Sequence, residues 1–259
     1  MNAPTERRPR FERHRRFVRN RLSPEKTLGL HVTIGVLVMI IGAWWFSEIA
    51  RDLGPTTPQV LLDQRVANWF HAHATPELTL AMSAISWLGS VAALTLFSTL
   101  LAVFFVMRRG WNRLVALVLT MAGGGLLNVL LKHFFHRQRP VFENPLVTIE
   151  SFAFPSGHAM GATLLFGLLA VIALRFVRAT AARVAIVIAA VSIIALIGLT
   201  RIYLGAHFLT DVLAAFAIGS AWLAFAWATA ETFRKRRRKS SSHVSSSEAL
   251  PHIPGRTGC

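Results

Sequence analysis

Apolar residues in this sequence are grouped into six runs, most of them close to the length that a helix needs to cross a bilayer. About 20 helical residues span ~30 Å of hydrocarbon, and the sequence is 53% hydrophobic but only 15% charged. The runs lack the alternation of a membrane β-barrel, so we predict an all-α, polytopic membrane protein with six transmembrane helices. The predicted spans are Leu28–Phe46, a stretch within Leu78–Val106, Leu114–Leu131, the segment from PSGH to Phe176, Val184–Leu199 and Phe208–Thr229.

Local features refine this layout. Between the first two spans, apolar residues from Leu61 to Phe70 recur at amphipathic spacing and predict a helix that lies along the membrane surface. In the overlong second run, Gly89 and Ser90 mark a bend or a start at headgroup level. In the third span, the glycines 123–125 permit close approach of another helix.

Basic residues set the predicted orientation. The net charge is +16, but 21 of the 28 lysines and arginines lie in the N-terminal tail, the turns around Arg108 and Arg178, and the run RKRRRK at 234–239. All of these fall on one side of a six-span topology, so the positive-inside rule predicts that both termini are cytoplasmic. Such clusters meet anionic lipid headgroups, and we do not expect nucleic-acid binding.

The chain is therefore divided into three parts. Residues 1–27 are a basic cytoplasmic tail, residues 28–233 form the membrane domain, and residues 234–259 are a basic and then serine-rich, disordered cytoplasmic tail. The first apolar run is too long for a cleavable signal peptide and ends in the aromatic residues 44–46. The single cysteine, Cys259, is terminal, so an internal disulfide and a cysteine-based metal site are excluded.

The stretch RIYLGAHFLTD, residues 201–211, places three ionisable residues between two apolar runs. His207 and Asp211 have i, i+4 spacing, which predicts that their side chains share one helix face, and Arg201 closes the preceding span. A carboxylate that holds one imidazole nitrogen leaves the other free to act as a base or a nucleophile. An interfacial His and Asp that flank a helix are the alternative for this pair alone.

Other polar residues are predicted at the same, extracytoplasmic membrane face. Lys132 and Arg139 end the third span, and Ser156, Gly157 and His158 begin the fourth. Three cations and two histidines at one depth repel one another unless an anion lies among them. A phosphate fits, because arginine and lysine bind its oxygens and a helix start offers N–H groups. We interpret His133, His136 and Arg137 as interfacial or headgroup contacts.

Three ordered motifs, K-x6-R-P at 132–140, PSGH at 155–158 and R-x5-H-x3-D at 201–211, resemble those of the type 2 phosphatidic acid phosphatase superfamily, which includes the vanadium haloperoxidases. The third motif departs from that family in having Thr200 where serine is usual. The resemblance implies that His207 is a nucleophile that forms a phosphohistidine, that Asp211 orients it and that His158 protonates the leaving alkoxide. The phosphoryl oxygens would then be held by Lys132, Arg139, Ser156, Gly157 and Arg201.

We expect a metal-independent lipid phosphatase of the cell membrane, in a bacterium the inner membrane, that needs no cofactor. Its substrate would be a membrane lipid phosphate or diphosphate: phosphatidate, phosphatidylglycerophosphate and polyprenyl diphosphate all fit. Two alternatives stay open, a lipid phosphotransferase with the same chemistry and a non-enzymatic lipid or phosphate transporter. The oligomeric state is not predicted.

Overall fold

The computed structural model describes residues 27–54 and 57–248, and this part of the chain consists of helices joined by turns and loops, without a β-strand. Most of the predicted N-terminal tail and the last residues of the C-terminal tail lie outside the described residues. The helices are α1 Thr27–Arg51, α2 Pro58–Ala72, α3 Pro76–Trp87, α4 Val91–Met107, α5 Trp111–Phe135, α6 Gly157–Ala173, α7 Thr180–Tyr203 and α8 Leu209–Glu248.

The six predicted spans are confirmed as six apolar helical segments. Within the described residues, 5 segments are long and apolar enough to cross a membrane, with mean hydropathy between 1.7 and 2.6, and the sixth is the shorter apolar helix α6. The second span, Pro76–Met107, consists of α3 and α4, which meet at a turn through residues 88–90. Ser90 caps α4 by accepting a hydrogen bond from the Ala93 N–H at 3.2 Å, so the predicted bend lies at this serine.

Helix α8 extends beyond the predicted end of the membrane domain at residue 233. It continues to Glu248 through the basic run and into the serine-rich segment. Serine is a modest helix former, but extending an existing helix avoids the cost of nucleation. The expected disordered tail beyond residue 248 lies outside the described residues.

Helix α6 is the central helix of the bundle, and α5, α7 and α8 surround it. Helix α6 packs on the other three and on α4, and its buried residues lie around most of its circumference. Two of the predicted close-approach glycines lie at these contacts: a Cβ atom at Gly123 would clash with Trp222, and one at Gly124 with Leu164. Gly125 instead faces open space. The absence of side chains at Gly123 and Gly124 therefore allows α5 to approach α6 and α8 closely.

Helix α2 is amphipathic, as predicted, but the face that it buries is not its most apolar one. It packs against α7 and α8 through a face that includes Val60, Asp63 and Ala67, whereas Leu61 and Trp69 are exposed. Lipid tails are as apolar as leucine, so a membrane protein gains little by turning such residues inward. The buried carboxylate of Asp63 is thereby brought to the start of α8, where it accepts a hydrogen bond from the Thr210 N–H.

Four chain segments meet at one end of the bundle: the end of α5, the start of α6, the end of α7 and the start of α8. The loop between α5 and α6 is held there by the Phe154 ring, which packs against Phe46 and Phe135 with ring centroids 5.5 and 4.8 Å away. The Ser156 N–H also donates to the Asp211 carbonyl at 3.1 Å. These contacts fix the start of α6 beside the start of α8.

Candidate active site

His207 is buried at the junction of α7 and α8, with 2% of its surface exposed. Gly205, at φ +66°, reverses the chain after α7, and the Arg201 carbonyl accepts a hydrogen bond from the His207 N–H at 3.2 Å. His207 lies two residues before the first residue of α8, so the prediction that it shares a helix face with Asp211 is wrong in that detail. The turn nevertheless brings the two side chains together.

Asp211 faces one nitrogen of the His207 ring. Its Oδ2 atom lies 3.6 Å from Nδ1 and accepts a hydrogen bond from the Phe208 N–H at 2.8 Å. Phe208 precedes α8, so this bond also caps the helix, as the acidic residue of a capping box does. The other ring nitrogen, Nε2, lies 3.2 Å from an Nη atom of Arg139. Thus one nitrogen faces a carboxylate and the other faces the cations.

The imidazole of His207 lies between the membrane-spanning helices and is fully enclosed. Burial lowers the pKa of His207 to about 4, and the Asp211 carboxylate opposes this shift. The ring is therefore neutral at neutral pH and has a lone pair available on one nitrogen. A neutral ring is the form that can attack phosphorus.

Two of the three predicted cations, Lys132 and Arg139, lie near this histidine. Arg139 donates to the Ser151 carbonyl at 2.6 Å and to the Ala206 carbonyl beside His207. Lys132 donates to the Phe152 carbonyl and interacts electrostatically with Arg139 and Arg201. Backbone carbonyls carry only partial negative charge, so they position these cations without neutralising them.

Arg201 is 5% exposed, and an Nη atom donates to the Ser86 hydroxyl at 2.6 Å, while its Nε is buried without a hydrogen-bond partner among the described residues. Ser86 lies near the end of α3, so the long second span also contributes to the site. The sequence motifs gave no sign of this serine. A buried donor without a partner is costly, and an anion bound here would satisfy it.

The start of α6 brings the remaining predicted residues to the same place. Ser156 is buried and caps α6 through its hydroxyl, which accepts from the Ala159 N–H at 3.4 Å, and Gly157 is the first residue of the helix. His158 interacts electrostatically with the cation of Arg201 and with His207. His158 therefore lies near the three cations and His207. The hydrogen bond from the Ser156 N–H to the Asp211 carbonyl holds the start of α6 beside them.

Arg137 is a second residue whose role the sequence interpretation missed. Instead of reaching headgroups, it forms ion pairs with Asp211 at 2.5 Å and with Asp63 at 2.7 Å. Its guanidinium also lies 4.6 Å from the centroid of the Phe208 ring. Asp63 in turn accepts from the Thr210 N–H at 3.0 Å. Arg137 and Asp63 therefore fix the carboxylate that faces His207.

The other histidines at this end of the bundle lie apart from the cluster. His133 is exposed, with Nδ1 3.0 Å from the Val129 carbonyl of its own helix, and His136 lies edge-on to the Phe152 ring with centroids 4.5 Å apart. In the part of the chain that the structure describes, no three His, Cys, Asp or Glu side chains are grouped as metal ligands. Metal independence stays a prediction.

Matches to known proteins cover the part of the chain that holds this cluster. The family model described as the PAP2 superfamily matches residues 113–235. Phosphatidylglycerophosphatase B of Bacillus subtilis is 37% identical over 146 residues, which are 56% of this chain and 71% of that protein.

Two crystal structures share the fold. A transmembrane PAP2-type phosphatidylglycerolphosphate phosphatase from Bacillus subtilis superposes with a TM-score of 0.66 at 28% identity, over 76% of this chain and 96% of that one. LpxE of Aquifex aeolicus superposes with a TM-score of 0.50 at 23% identity, over 67% of this chain and 97% of that one, which is evidence for the fold alone.

Proposed function

Because the chain belongs to the PAP2 superfamily, we propose that it is a lipid phosphatase that releases phosphate from a membrane lipid through a phosphohistidine on His207. The observation that carries this proposal is the two-sided environment of the His207 ring. Nδ1 faces the Asp211 carboxylate, and Nε2 lies 3.2 Å from Arg139. A phosphate held by Arg139 would lie next to a neutral ring nitrogen.

In the first step, Nε2 of His207 attacks phosphorus as the bond to the leaving oxygen breaks. The electron pair of that bond leaves with the oxygen. The anionic phosphate favours a protonated His158 imidazole beside it, and this imidazole donates its proton to the leaving oxygen. Lys132, Arg139 and Arg201 stabilise the equatorial oxygens, on which negative charge is spread in the transition state. Asp211 stabilises the positive charge that forms on the His207 ring.

In the second step, a water molecule attacks the phosphohistidine. His158, now neutral, accepts a proton from that water, and the N–P bond breaks to release phosphate and neutral His207. A lipid hydroxyl in place of water would make the same chemistry a phosphotransfer. Product analysis with and without an added lipid alcohol separates the two reactions.

The substrate class follows from the depth of the site. The cations lie at the ends of apolar helices, where the phosphate of a lipid reaches the membrane surface. Phosphatidylglycerophosphate is the first candidate, because the curated relative is named as a phosphatidylglycerophosphatase. Phosphatidate and polyprenyl diphosphate carry the same terminal phosphate.

Purified protein tested on these three lipids is the direct experiment. We expect release of inorganic phosphate from at least one lipid, none from His207→Gln, and near wild-type release from His133→Gln, which alters an exposed histidine outside the cluster. Phosphate release by His207→Gln at the wild-type rate would contradict the proposed mechanism. No release from any of the lipids by the wild type would contradict the proposed function.

We also propose that both termini are cytoplasmic and that the site faces the extracytoplasmic side, because basic residues are concentrated at the opposite end of the bundle. The native Cys259 is first replaced by serine. In that background, Asn144→Cys should react with a membrane-impermeant thiol reagent in intact cells, and Ser241→Cys only after permeabilisation. The reverse labelling would contradict this orientation.

A further inference from the structure

A second cluster of cations surrounds a cavity at the end of the bundle opposite His207. The cavity has a volume of about 700 Å³ and lies between the α4–α5 turn, the α6–α7 turn and α8. We call it the basic cavity. Its charged lining residues are Arg108, Arg109, Arg113, Arg175, Glu231 and Arg234. The volume is in the range of small-molecule binding sites.

The charges around the basic cavity are unbalanced. Glu231 is the one carboxylate among the lining residues, and it pairs with Arg175 and, at 2.7 Å, with Arg234. Within the described residues, Arg108, Arg109 and Arg113 have no hydrogen bond or ion pair through their side chains. Like charges that share a cavity repel one another, so an anion bound among these arginines would stabilise the arrangement.

Apolar and aromatic side chains border the same cavity. Trp111 is 53% exposed and Phe176 is 64% exposed, and the Arg113 guanidinium lies 4.9 Å from the centroid of the Phe176 ring. Arg175 lies 4.4 Å from the Trp227 ring. Tryptophan beside arginine at the end of a membrane helix marks the headgroup level of a bilayer. The expected ligand is therefore an anion that is attached to acyl chains.

We propose that the basic cavity binds the phosphate of an anionic phospholipid from the leaflet opposite the active site. The arginines would hold the phosphate, and the acyl chains would lie against the exposed side chains of Val115 and Val118, which follow Trp111 on one face of α5. Basic pockets between membrane helices bind acidic lipid headgroups in this way. The proposal depends on this cavity alone and stands whether or not His207 is the nucleophile.

The test is native mass spectrometry of the purified protein titrated with phosphatidylglycerol or phosphatidylcholine. Millimolar inorganic phosphate is present throughout, so that it occupies the active site. We expect phosphatidylglycerol to bind more tightly than phosphatidylcholine. Arg113→Gln should weaken phosphatidylglycerol binding about tenfold, the size of one charge-assisted hydrogen bond, and Arg109→Gln with Arg113→Gln should weaken it further.

Arg178→Gln is the matched control. Arg178 is an exposed arginine at the same end of the bundle, and it does not line the cavity. Equal losses in Arg113→Gln and Arg178→Gln would overturn the proposal in favour of a diffuse surface charge. Equal retention of the two lipids would overturn it as well. Loss of phosphatidylglycerol binding when the phosphate concentration is raised tenfold above this level would overturn the proposal by showing that the cavity binds a free anion rather than a lipid.

Discussion

Both ends of the helical bundle contain several cations, but only one end, within the described residues, holds them in fixed positions beside a buried histidine. At the His207 end, each cation is anchored by a specific acceptor, as Arg201 is by Ser86 and Arg139 by Ser151. At the basic cavity, Arg108 and Arg109 are exposed and have no such acceptor among the described residues. The number of positive charges therefore does not distinguish a catalytic site from a surface that meets lipid headgroups.

The difference lies in burial and in pre-organisation. Asp211 and Asp63 are 0% exposed, and Arg137 links them, so the orientation of the carboxylate is set before any substrate arrives. Fixed groups of this kind stabilise a transition state without reorganising, whereas mobile surface charges contribute little energy each. We therefore expect substitutions at the His207 end to alter rates and those at the basic cavity to alter lipid affinity.

The largest effect is expected at His207. Removal of a nucleophile abolishes the reaction whatever the leaving group, so His207→Ala should lower kcat/KM for both a lipid phosphate and an aryl phosphate by more than about 10⁴-fold. Phosphate release from both substrates by His207→Ala and by the wild type checks this. An aryl phosphatase activity that survives in His207→Ala would mean that another group attacks phosphorus.

His158→Ala should separate the two substrates. A general acid contributes roughly 10²- to 10⁴-fold, and its loss matters most when a strongly basic alkoxide must leave. We expect that loss in kcat/KM for the lipid phosphate and a much smaller loss for the aryl phosphate, whose leaving group needs little help. Equal losses for the two substrates would exclude this role for His158.

Arg137 and Asp63 are predicted to be positioning residues that act through Asp211. Arg137→Lys keeps the charge but cannot bridge two carboxylates in the same geometry, so we expect a loss of up to about 10²-fold in kcat with a small change in KM. Asp63→Asn, which keeps the shape of the side chain, should have a milder effect. The matched control is Glu48→Gln, which breaks the exposed Arg51–Glu48 pair at 2.9 Å.

A structural role alone would lower the amount of folded protein and leave the pH profile unchanged. Arg137→Gln removes a cation beside the His207–Asp211 pair. This substitution should instead raise the pKa of His207 and move the acid limb of the profile to higher pH. An unchanged profile with normal folding would contradict the positioning role of Arg137.

The pH dependence of the wild type should reflect burial of His207. Burial lowers the pKa of His207 to about 4, so the neutral nucleophile is present at pH 5.5 and is lost as the pH falls through 4. We expect kcat/KM for an aryl phosphate to fall about tenfold per pH unit below that point. An acid limb centred near 6.5, the ordinary value for an exposed histidine, would contradict the enclosed position of the ring.

The sequence predicted the motif residues because they lie at the ends of apolar helices, and the topology of successive spans brings those ends together. Asp63 could not be found in this way. Its contact with Arg137 depends on which face α2 turns to the bundle, and in a membrane the apolar residues Leu61 and Trp69 do not decide that orientation. Val60, Asp63 and Ala67 recur at helical spacing and form the buried face, but this spacing identifies that face only once the structure is known.

Arg137 was misinterpreted for a related reason. An arginine between Lys132 and Arg139 at a membrane surface is typical of a residue that contacts lipid headgroups. Its two carboxylate partners are more than 70 residues away in sequence, so no local pattern indicates them. Ser86 was missed because a serine in an apolar run is common, and only the packing of α3 on α7 brings it to Arg201. The bend at Ser90, in contrast, could be predicted from the sequence, because it depends on a capping contact between residues three positions apart.

If His207 carries the phosphoryl group during turnover, the phosphorylated protein can be trapped and the modified residue identified. In His158→Ala, an aryl phosphate should still phosphorylate His207, while hydrolysis is slowed by the loss of the base. The reaction is quenched in alkaline detergent, because phosphohistidine is labile in acid, and the labelled peptide is identified by mass spectrometry. We predict phosphate on His207 and none in the His158→Ala, His207→Gln double variant. Rapid release of the aryl alcohol without protein-bound phosphate, or with the label on another residue, would contradict the account.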